Sequence, residues 1–208
     1  MSGHVSSIPS HPRIYTDGGL ISPNPSVLGG TWGWCRVEDD RIVSEDSGIL
    51  WAEDMPGGVV TGNQAEFFAV LNAFSALSDN EIVHVYLDSD VTLSRWTGDG
   101  RFGRAGIPDA WWGGMNDQLR RCGGSFWHPL AGHPTQHRPS KLDGKTDLER
   151  GHKLTRDGKP GIPVSRWNVH VDALCTIQAA LGKILIECGK IPDAEAWEII
   201  ATAAGTEG

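Results

Sequence analysis

The hydrophobic pattern of this chain changes its period partway along, and this change constrains the fold more than any other feature. A strand candidate at 13–17 is followed by TWGWCRVE (31–38) and IVSEDSGILWAE (42–53), which alternate as strands do. Over 63–77 the period becomes helical. The apolar residues at helical spacing are Phe67, Val70, Leu71, Phe74 and Leu77. This part of the chain predicts a three-stranded antiparallel meander that leads into a helix.

The rest of the chain alternates strands with helices. The expected elements are a buried strand in 81–90, short helices at 91–96 and 110–122, a strand from 124, a long helix over 168–188 and a final helix over 193–204. Because strand–helix–strand units need crossover connections, the order predicts an α/β fold. Its sheet is expected to be mixed and five-stranded, an antiparallel meander plus parallel strands, flanked by helices and with an additional C-terminal helix.

These elements predict one main domain with two appendages, since 208 residues suffice for a substantial core. Residues 1–12 are polar, contain two prolines and are expected to form a disordered arm. The main domain is expected over 13–188, and a C-terminal helix and tail over 189–208.

The chain shows no targeting or membrane signal. Its start is neither basic nor apolar, and no run of about 18 apolar residues occurs. The four cysteines form no CxxC pair and no zinc-finger spacing, which predicts reduced structural thiols. We therefore expect a cytoplasmic protein without a membrane partner, and a monomer.

Charge is distributed unevenly along the chain. The net charge of −8 argues against a protein that coats nucleic acid without selectivity. Residues 134–167 nevertheless carry eight Lys or Arg side chains against four Asp or Glu. Such a basic insertion can bind a polyanion or can be a solvated loop without a partner, and charge alone leaves both interpretations open.

Four carboxylates lie where predicted elements begin or end. Asp17 ends a strand before two glycines, Glu66 lies one turn into the first helix, Asp88 ends a strand, and Asp172 lies early in the long helix. Each alone can be a turn residue or a helix-end acid. In adjacent parallel strands, Asp17 and Asp88 would emerge at the same sheet end. Four carboxylates together repel one another unless cations neutralise them, and Mg²⁺ prefers such oxygen ligands.

The same motifs resemble the ribonuclease H family, in its type 1 branch, over about residues 13–185. The family pattern has an Asp-Gly, a Glu three residues after an Asn, an Asp-Ser, a Gly-His loop and an Asn four residues before a last Asp. The matching residues are, in order, Asp17-Gly18, Asn63 with Glu66, Asp88-Ser89, Gly132-His133 and Asn168 with Asp172. Five matches in order with two fixed offsets make the resemblance specific.

The resemblance implies an endonuclease that hydrolyses the RNA strand of RNA–DNA hybrids. Asp17, Glu66, Asp88 and Asp172 would hold two Mg²⁺ ions, with Mn²⁺ as a substitute. One ion would activate a water and the other would stabilise the leaving 3′ oxygen. No small-molecule cofactor is expected.

Further roles follow from the same resemblance. His133 would assist product release or proton movement, and His152, also preceded by Gly, is its competitor. The residues implied to contact the substrate, where 2′-hydroxyls distinguish RNA from DNA, are Gly18, Gly19, Asn24, Asn63 and Asn168. For Asn63, a role as a helix N-cap is the alternative.

Some features depart from the family pattern. Asp90 stands where the family often has Gln, and the stretch before the last Asp is longer than usual. Trp96, Trp111 and Trp112, with nearby arginines, can stack on nucleic acid or pack the core. Two other functions stay open: a nuclease of the same fold that acts on DNA, of resolvase or exonuclease type, and a non-catalytic nucleic-acid-binding module.

Overall fold

The computed structural model describes residues 11–97, 103–132 and 139–189, which build a central sheet with helices on its faces. The sheet has five strands in the order β3-β2-β1-β4-β5. They are β1 (Arg13–Leu20), β2 (Gly29–Glu38), β3 (Arg41–Trp51), β4 (Ile82–Leu87) and β5 (Gly124–Pro129). The β1–β2–β3 meander is antiparallel, and β4 runs parallel to both β1 and β5. The predicted mixed five-stranded sheet is confirmed.

Several predictions fall on residues outside these ranges. They are most of the N-terminal arm over 1–12, the additional C-terminal helix over 193–204, and His133. These remain predictions.

Strand β1 is longer than its sequence indicates. It pairs with β2 as far as Leu20, so Asp17 and the two following glycines lie inside the strand and not in a turn. The parallel ladder with β4 ends earlier, at Tyr15 opposite Tyr86. The prediction that the first strand ends at Asp17 is therefore wrong, because the pairing with β2 carries the strand three residues further.

The helices of the described residues follow the predicted order. They are α1 (Gly62–Ser75), α2 (Asp90–Thr97), α3 (Asp109–Arg121), α4 (Asp147–Arg150) and α5 (Arg166–Glu187). Helix α1 begins after Thr61, whose hydroxyl accepts a bond from the Gln64 amide, while the Gln64 side chain accepts one from the Thr61 amide. This reciprocal capping makes Thr61 the N-cap of α1. The alternative that Asn63 is the N-cap is thereby excluded.

Helices α1 and α5 lie on opposite faces of the sheet. Successive strand residues point to opposite faces, so the neighbours Ile14 and Tyr15 contact different helices. Ile14 belongs to the core cluster that contains Phe67 of α1. Tyr15 belongs to the cluster that contains Val171 of α5. Strand β1 is therefore covered by a helix on each side.

The tryptophans of α2 and α3 belong to the core beside α1. Trp112 is buried, and the Phe67 ring lies 4.9 Å from it and 5.4 Å from Trp96, between ring centroids. Trp111 packs on Phe68 at 4.7 Å. These contacts favour core packing over stacking on nucleic acid for this group.

The segment 139–165, part of the basic insertion for which a solvated loop was one of two open interpretations, folds into a small unit. A short helix, α4, is followed by a hairpin of β6 (His152–Leu154) and β7 (Pro160–Pro163). Thr146 caps α4, and the Glu149 side chain accepts a bond from the Thr146 amide. A threonine three residues before a glutamate is a sequence signature of a helix start, and it was available at Thr146.

Helix α5 is apolar and long enough to meet a length-and-composition test for a membrane-spanning helix, with a mean hydropathy of 1.4. The core helix of a soluble protein passes the same test. Here Val171 and Cys175 are buried against the sheet, and Asn168 is buried as well. Helix α5 therefore packs one side on the sheet, while only 17% of its 18-residue apolar window is buried.

Candidate active site

The parallel pairing of β1 with β4 brings Asp17 and Asp88 together. Ile14 lies opposite Val85 and Tyr15 opposite Tyr86. The same register carried two residues further puts Asp17 level with Asp88, just beyond the end of β4. Asp17 and Asp88 thus lie side by side at the end of the β1–β4 pairing, as predicted, although β1 continues past Asp17.

Because Gly18 has no side chain, Glu66 of α1 can approach the same place. A Cβ atom at Gly18 would lie 2.2 Å from the backbone nitrogen of Glu66 and 2.4 Å from the carbonyl carbon of Ala65. Helix α1 therefore crosses β1 at a distance that only glycine permits. As a result, one carboxylate oxygen from each of Asp17, Glu66 and Asp88 lies within 4.8 Å of the others.

Burial and mutual repulsion raise the pKa values of Asp17 and Glu66. Burial, followed by the charges of Asp88 and Asp172, raises the pKa of Asp17 to about 8. Burial, followed by the charges of Asp17 and Asp88, raises the pKa of Glu66 well above its usual range. The Gly18 amide donates to Asp17 Oδ1 at 2.8 Å and partly opposes the rise for that group.

The residues present fit a divalent cation. Glu66 Oε2 is buried and has no hydrogen-bond partner among the described residues. A buried carboxylate without a partner is costly, and a hard cation with oxygen ligands removes that cost. Asp17, Glu66 and Asp88 together therefore form a candidate metal centre.

Asp172 lies beside this group without joining it. It lines a cleft of about 100 Å³ together with Asp17, Thr31 and Cys175, and its charge contributes to the raised pKa of Asp17. It is not one of the three acids whose oxygens lie within 4.8 Å of one another. The structure thus groups three of the four predicted carboxylates tightly, and the fourth lines the cleft next to Asp17.

Asn168 contacts a carboxylate of the site. Its Nδ2 donates to Asp88 Oδ2 at 3.2 Å, and the residue is 1% exposed. Its Oδ1 is buried without a hydrogen-bond partner among the described residues. Asn168 was predicted to contact substrate, and its observed partner is Asp88. A substrate contact by this residue remains a prediction.

The loop after β5 passes directly against Asp88. A Cβ at Gly132 would lie 3.0 Å from Asp88 Oδ2. His133 follows Gly132 in the chain but lies outside the described residues. Its competitor His152 begins β6, where it is opposite Pro163, and the Pro163 carbonyl accepts a bond from the Ala131 amide at 2.9 Å. The choice between the two histidines stays open.

The glycines and asparagines predicted to contact substrate fall into two kinds. Gly18 and Gly19 face packed neighbours, since a Cβ at Gly19 would lie 2.6 Å from the Thr31 hydroxyl. Asn24 and Asn63 are exposed, and Asn24 Nδ2 lies 4.0 Å from the Cβ position of the first residue of α1. The two asparagines therefore share the N-terminal end of α1, where a ligand can reach them.

Cys175 and Thr31 belong to the cleft, although neither was singled out in the sequence. The Cys175 thiol donates to the Asp17 carbonyl at 3.3 Å, and burial raises its pKa. All four cysteines are free, as predicted. The available signal for Cys175 was its position three residues after Asp172, which puts both on one helix face. Thr31 gave no comparable signal.

Asp90 has a structural explanation. It is the first residue of α2, and the Ser89 hydroxyl accepts a bond from the Thr92 amide at 3.2 Å. An acid in the first turn of a helix is favoured by the helix dipole. Asp90 is exposed and is not one of the three clustered acids.

The fold is that of known ribonucleases H. LC11-RNase H1, isolated from compost by a metagenomic approach, matches with a TM-score of 0.53 at 17% identity, over 82% of this chain and 96% of that one. The N-terminal RNase H domain of a Mycobacterium tuberculosis protein, solved as a fusion with maltose-binding protein, matches with a TM-score of 0.52 at 14% identity, over 83% and 96%. No family model matches the sequence, and no curated protein does.

The chain is therefore an α/β protein with a carboxylate cleft at the end of a parallel strand pair. More particularly, it has a ribonuclease H-like fold. At 14 to 17% identity the likeness concerns the fold, and activity has to be argued from the site.

Proposed function

We propose that the protein is a metal-dependent endoribonuclease of the ribonuclease H family, type 1, which hydrolyses the RNA strand of RNA–DNA hybrids. The observation that carries the proposal is the grouping of Asp17, Glu66 and Asp88 within 4.8 Å, at the place where this fold brings β1, α1 and β4 together. Two of these acids, Asp17 and Glu66, have raised pKa values, and clustered acids of this kind are costly for folding, which favours a functional reason for them.

Asp17, Glu66 and Asp88, with Asp172 from the lining of the cleft, would hold the ions, Mg²⁺ or Mn²⁺. When bound, two such ions supply the Lewis acidity that phosphodiester hydrolysis requires. Binding would require the carboxyls to lose their protons, since the pKa of Asp17 is about 8 without metal.

The chain's own residues would fix the ligands in place. The Gly18 amide holds Asp17 Oδ1, and Asn168 Nδ2 holds Asp88 Oδ2. The Cys175 thiol holds the Asp17 carbonyl, so that the backbone of Asp17 is bound to α5. Such hydrogen bonds limit the rotation of the carboxylates and prepare the site for its ligand. His133 is proposed to assist product release or proton movement.

Selection of RNA–DNA hybrid would come from the end of α1. The exposed side-chain amides of Asn24 and Asn63 offer donors and acceptors to the minor groove, where 2′-hydroxyls mark an RNA strand. Because these groups are not engaged in capping α1, they are available to a substrate. This favours a hybrid over a DNA duplex as the substrate.

The protein is further proposed to act as a cytoplasmic monomer without a small-molecule cofactor. Four free cysteines agree with a reducing compartment. Size-exclusion chromatography with light scattering would test the monomer.

The test is cleavage of an RNA–DNA hybrid, labelled on each strand in turn, with Mg²⁺, with Mn²⁺ and in EDTA. Matched RNA and DNA duplexes serve as substrate controls, and the Glu66→Gln variant as the protein control. Cutting of only the RNA strand of the hybrid, dependent on metal and lost in the variant, is the expected result. Cutting of the DNA duplex instead would replace the proposal with a DNA nuclease. Binding without cutting under every condition would leave a non-catalytic binding module.

A further inference from the structure

The unit 139–165, here called the arm, is joined to the candidate active site through its C-terminal end. The Pro163 carbonyl of β7 accepts a bond from the Ala131 amide at 2.9 Å, next to Gly132, which abuts Asp88. Two residues after Pro163, the Ser165 hydroxyl accepts a bond from the Trp167 amide and caps α5, the helix that carries Asn168 and Asp172. The arm therefore has a fixed position relative to the carboxylate cleft.

The arm has a small polar core of its own. The Arg150 side chain is 7% exposed and forms ion pairs with Asp143, at 2.9 Å, and with Asp147. The Val164 amide donates to the Gly151 carbonyl at 3.0 Å and closes the hairpin onto α4. The two carboxylates neutralise the charge of the buried arginine inside the arm. Arg150 is therefore not available to a ligand.

Two turns meet at the far end of the arm. The turn at 140–144 packs on the turn at 155–158, where Leu142 Cδ1 lies 3.3 Å from the Cβ position of Gly158. The Thr155 amide donates to the Lys159 carbonyl and closes the second turn. This end, here called the tip, consists of the two turns, one of which carries Lys141 and the other Arg156.

The cations of the tip are exposed and unpaired. Within the part of the chain that the structure describes, no carboxylate forms an ion pair with Lys141, Arg156 or Lys153 of β6, whereas Lys159 pairs with Asp157 at 2.8 Å. All three unpaired side chains are exposed. In a protein of net charge −8, a group of unpaired cations fixed beside a carboxylate cleft is suited to a polyanion that extends out of that cleft.

We propose that the arm is a phosphate-binding clamp, whose tip contacts the sugar–phosphate backbone of a bound duplex away from the scissile bond. This inference rests on the proposed function, since it takes the ligand to be a polynucleotide. A strand rises about 3.3 Å per residue, so the tip lies roughly 13 Å from the root at Pro163. At about 3.4 Å per base pair, an arm that lies along the duplex would reach phosphates up to roughly four base pairs from the cleft.

The test compares two double variants that remove the same charge. Lys141→Gln with Arg156→Gln neutralises the tip, and Arg41→Gln with Lys183→Gln neutralises two exposed cations outside the arm and outside the site. Binding of a fluorescent RNA–DNA hybrid is measured in EDTA, so that no divalent ion supports cleavage, between 50 and 300 mM salt. Thermal unfolding confirms that each variant is folded.

The tip variant is expected to weaken binding at least fivefold at low salt. Its slope of log affinity against log salt should be shallower by about 2, since each phosphate contact contributes about 0.9. The control variant should keep the wild-type slope within about 0.5. An unchanged slope in the tip variant, or an equal change in the control, would overturn the clamp.

A series of hybrid lengths separates this proposal from the proposed function. Wild-type affinity should rise by a step when the duplex first reaches the tip, up to roughly four base pairs beyond the cleft, and the tip variant should lack the step. Metal-dependent cleavage by wild type without such a step would overturn the clamp and leave the ribonuclease standing. Failure of wild type to bind or cut the hybrid would overturn the proposed function, and with it the duplex as the ligand of the arm.

Discussion

Replacement of Asp17 by Asn is expected to stabilise the metal-free protein at neutral pH, although Asp17 lies in the candidate active site. The pKa of Asp17 is about 8 in the folded chain, because of burial and of the charges of Asp88 and Asp172, against 3.8 ordinarily. Asparagine is neutral at every pH and keeps an Oδ1 that can accept the 2.8 Å bond from the Gly18 amide. The variant therefore removes the electrostatic cost and keeps the local geometry.

The sign and the size of the effect follow from the raised pKa. A group with a higher pKa in the folded chain than in the unfolded one contributes its full stability below about pH 4. That stability is lost as the pH rises toward about 8. At pH 7.5 the loss is about 5 kcal/mol if Asp17 alone carries the proton. Because neighbouring carboxyls share their protons, part of the cost stays with Glu66 and Asp88, and we expect a difference of about 2–5 kcal/mol.

The assay is urea unfolding in EDTA at pH 4.0, 5.5 and 7.5. Asp46→Asn is the matched control, since Asp46 is exposed on β3 and its Oδ1 accepts a bond from the following amide at 2.8 Å, as Asp17 does. The Asp17 variant should match wild type at pH 4.0 and exceed it at pH 7.5, while the control stays within about 0.5 kcal/mol throughout. Parallel pH curves for wild type and the Asp17 variant would refute the reasoning.

Three further results are expected. Asp88→Asn should abolish cleavage of the hybrid while its thermal midpoint in EDTA equals or exceeds that of wild type; full activity would remove Asp88 from the site. Gly18→Ala should destabilise the protein by about 3 kcal/mol or more in urea unfolding, because a methyl group there meets the backbone of α1. Gly113→Ala, in open space on α3, should be neutral or stabilising. His133→Ala should lower kcat more than it raises Kd for the hybrid, and the same effect from His152→Ala instead would assign the loop histidine to the arm.

The order of elements and the grouping of acids could be predicted because both depend on local pattern and on strand direction. The change of period before α1 predicted a meander followed by alternating helices and strands, and the structure has that order. Asp17 and Asp88 each follow an apolar strand run, and parallel pairing brings such positions together. For these residues, the hydrophobic period and the strand direction, which determine the arrangement, can both be inferred from the sequence.

Other features depend on contacts that local pattern does not reveal. The sequence Asp-Gly-Gly is typical of a turn, but in the structure it lies inside β1. Glycine is needed at position 18 because α1 crosses β1 there, which is a tertiary contact that the local pattern does not show. The bond from Asn168 to Asp88 joins residues 80 positions apart. Counting charges could not distinguish the buried ion pairs of Arg150 from solvated charges, which is why a solvated loop stayed one of the two interpretations of this segment.

The two glycines after Asp17 have a consequence for how the site could be altered. Gly18 faces α1 and Gly19 faces α5, so neither residue places a side chain between the sheet and the helix on that face. Because β4 stops at Leu87, an acid from the α1 layer and an acid from the α5 layer can both act on Asp17 at this point. Larger side chains at these two positions of β1 would push the helices away from Asp17. The acids would then form two separate groups, one on each face of the sheet. Neither group would have enough ligands for the proposed chemistry.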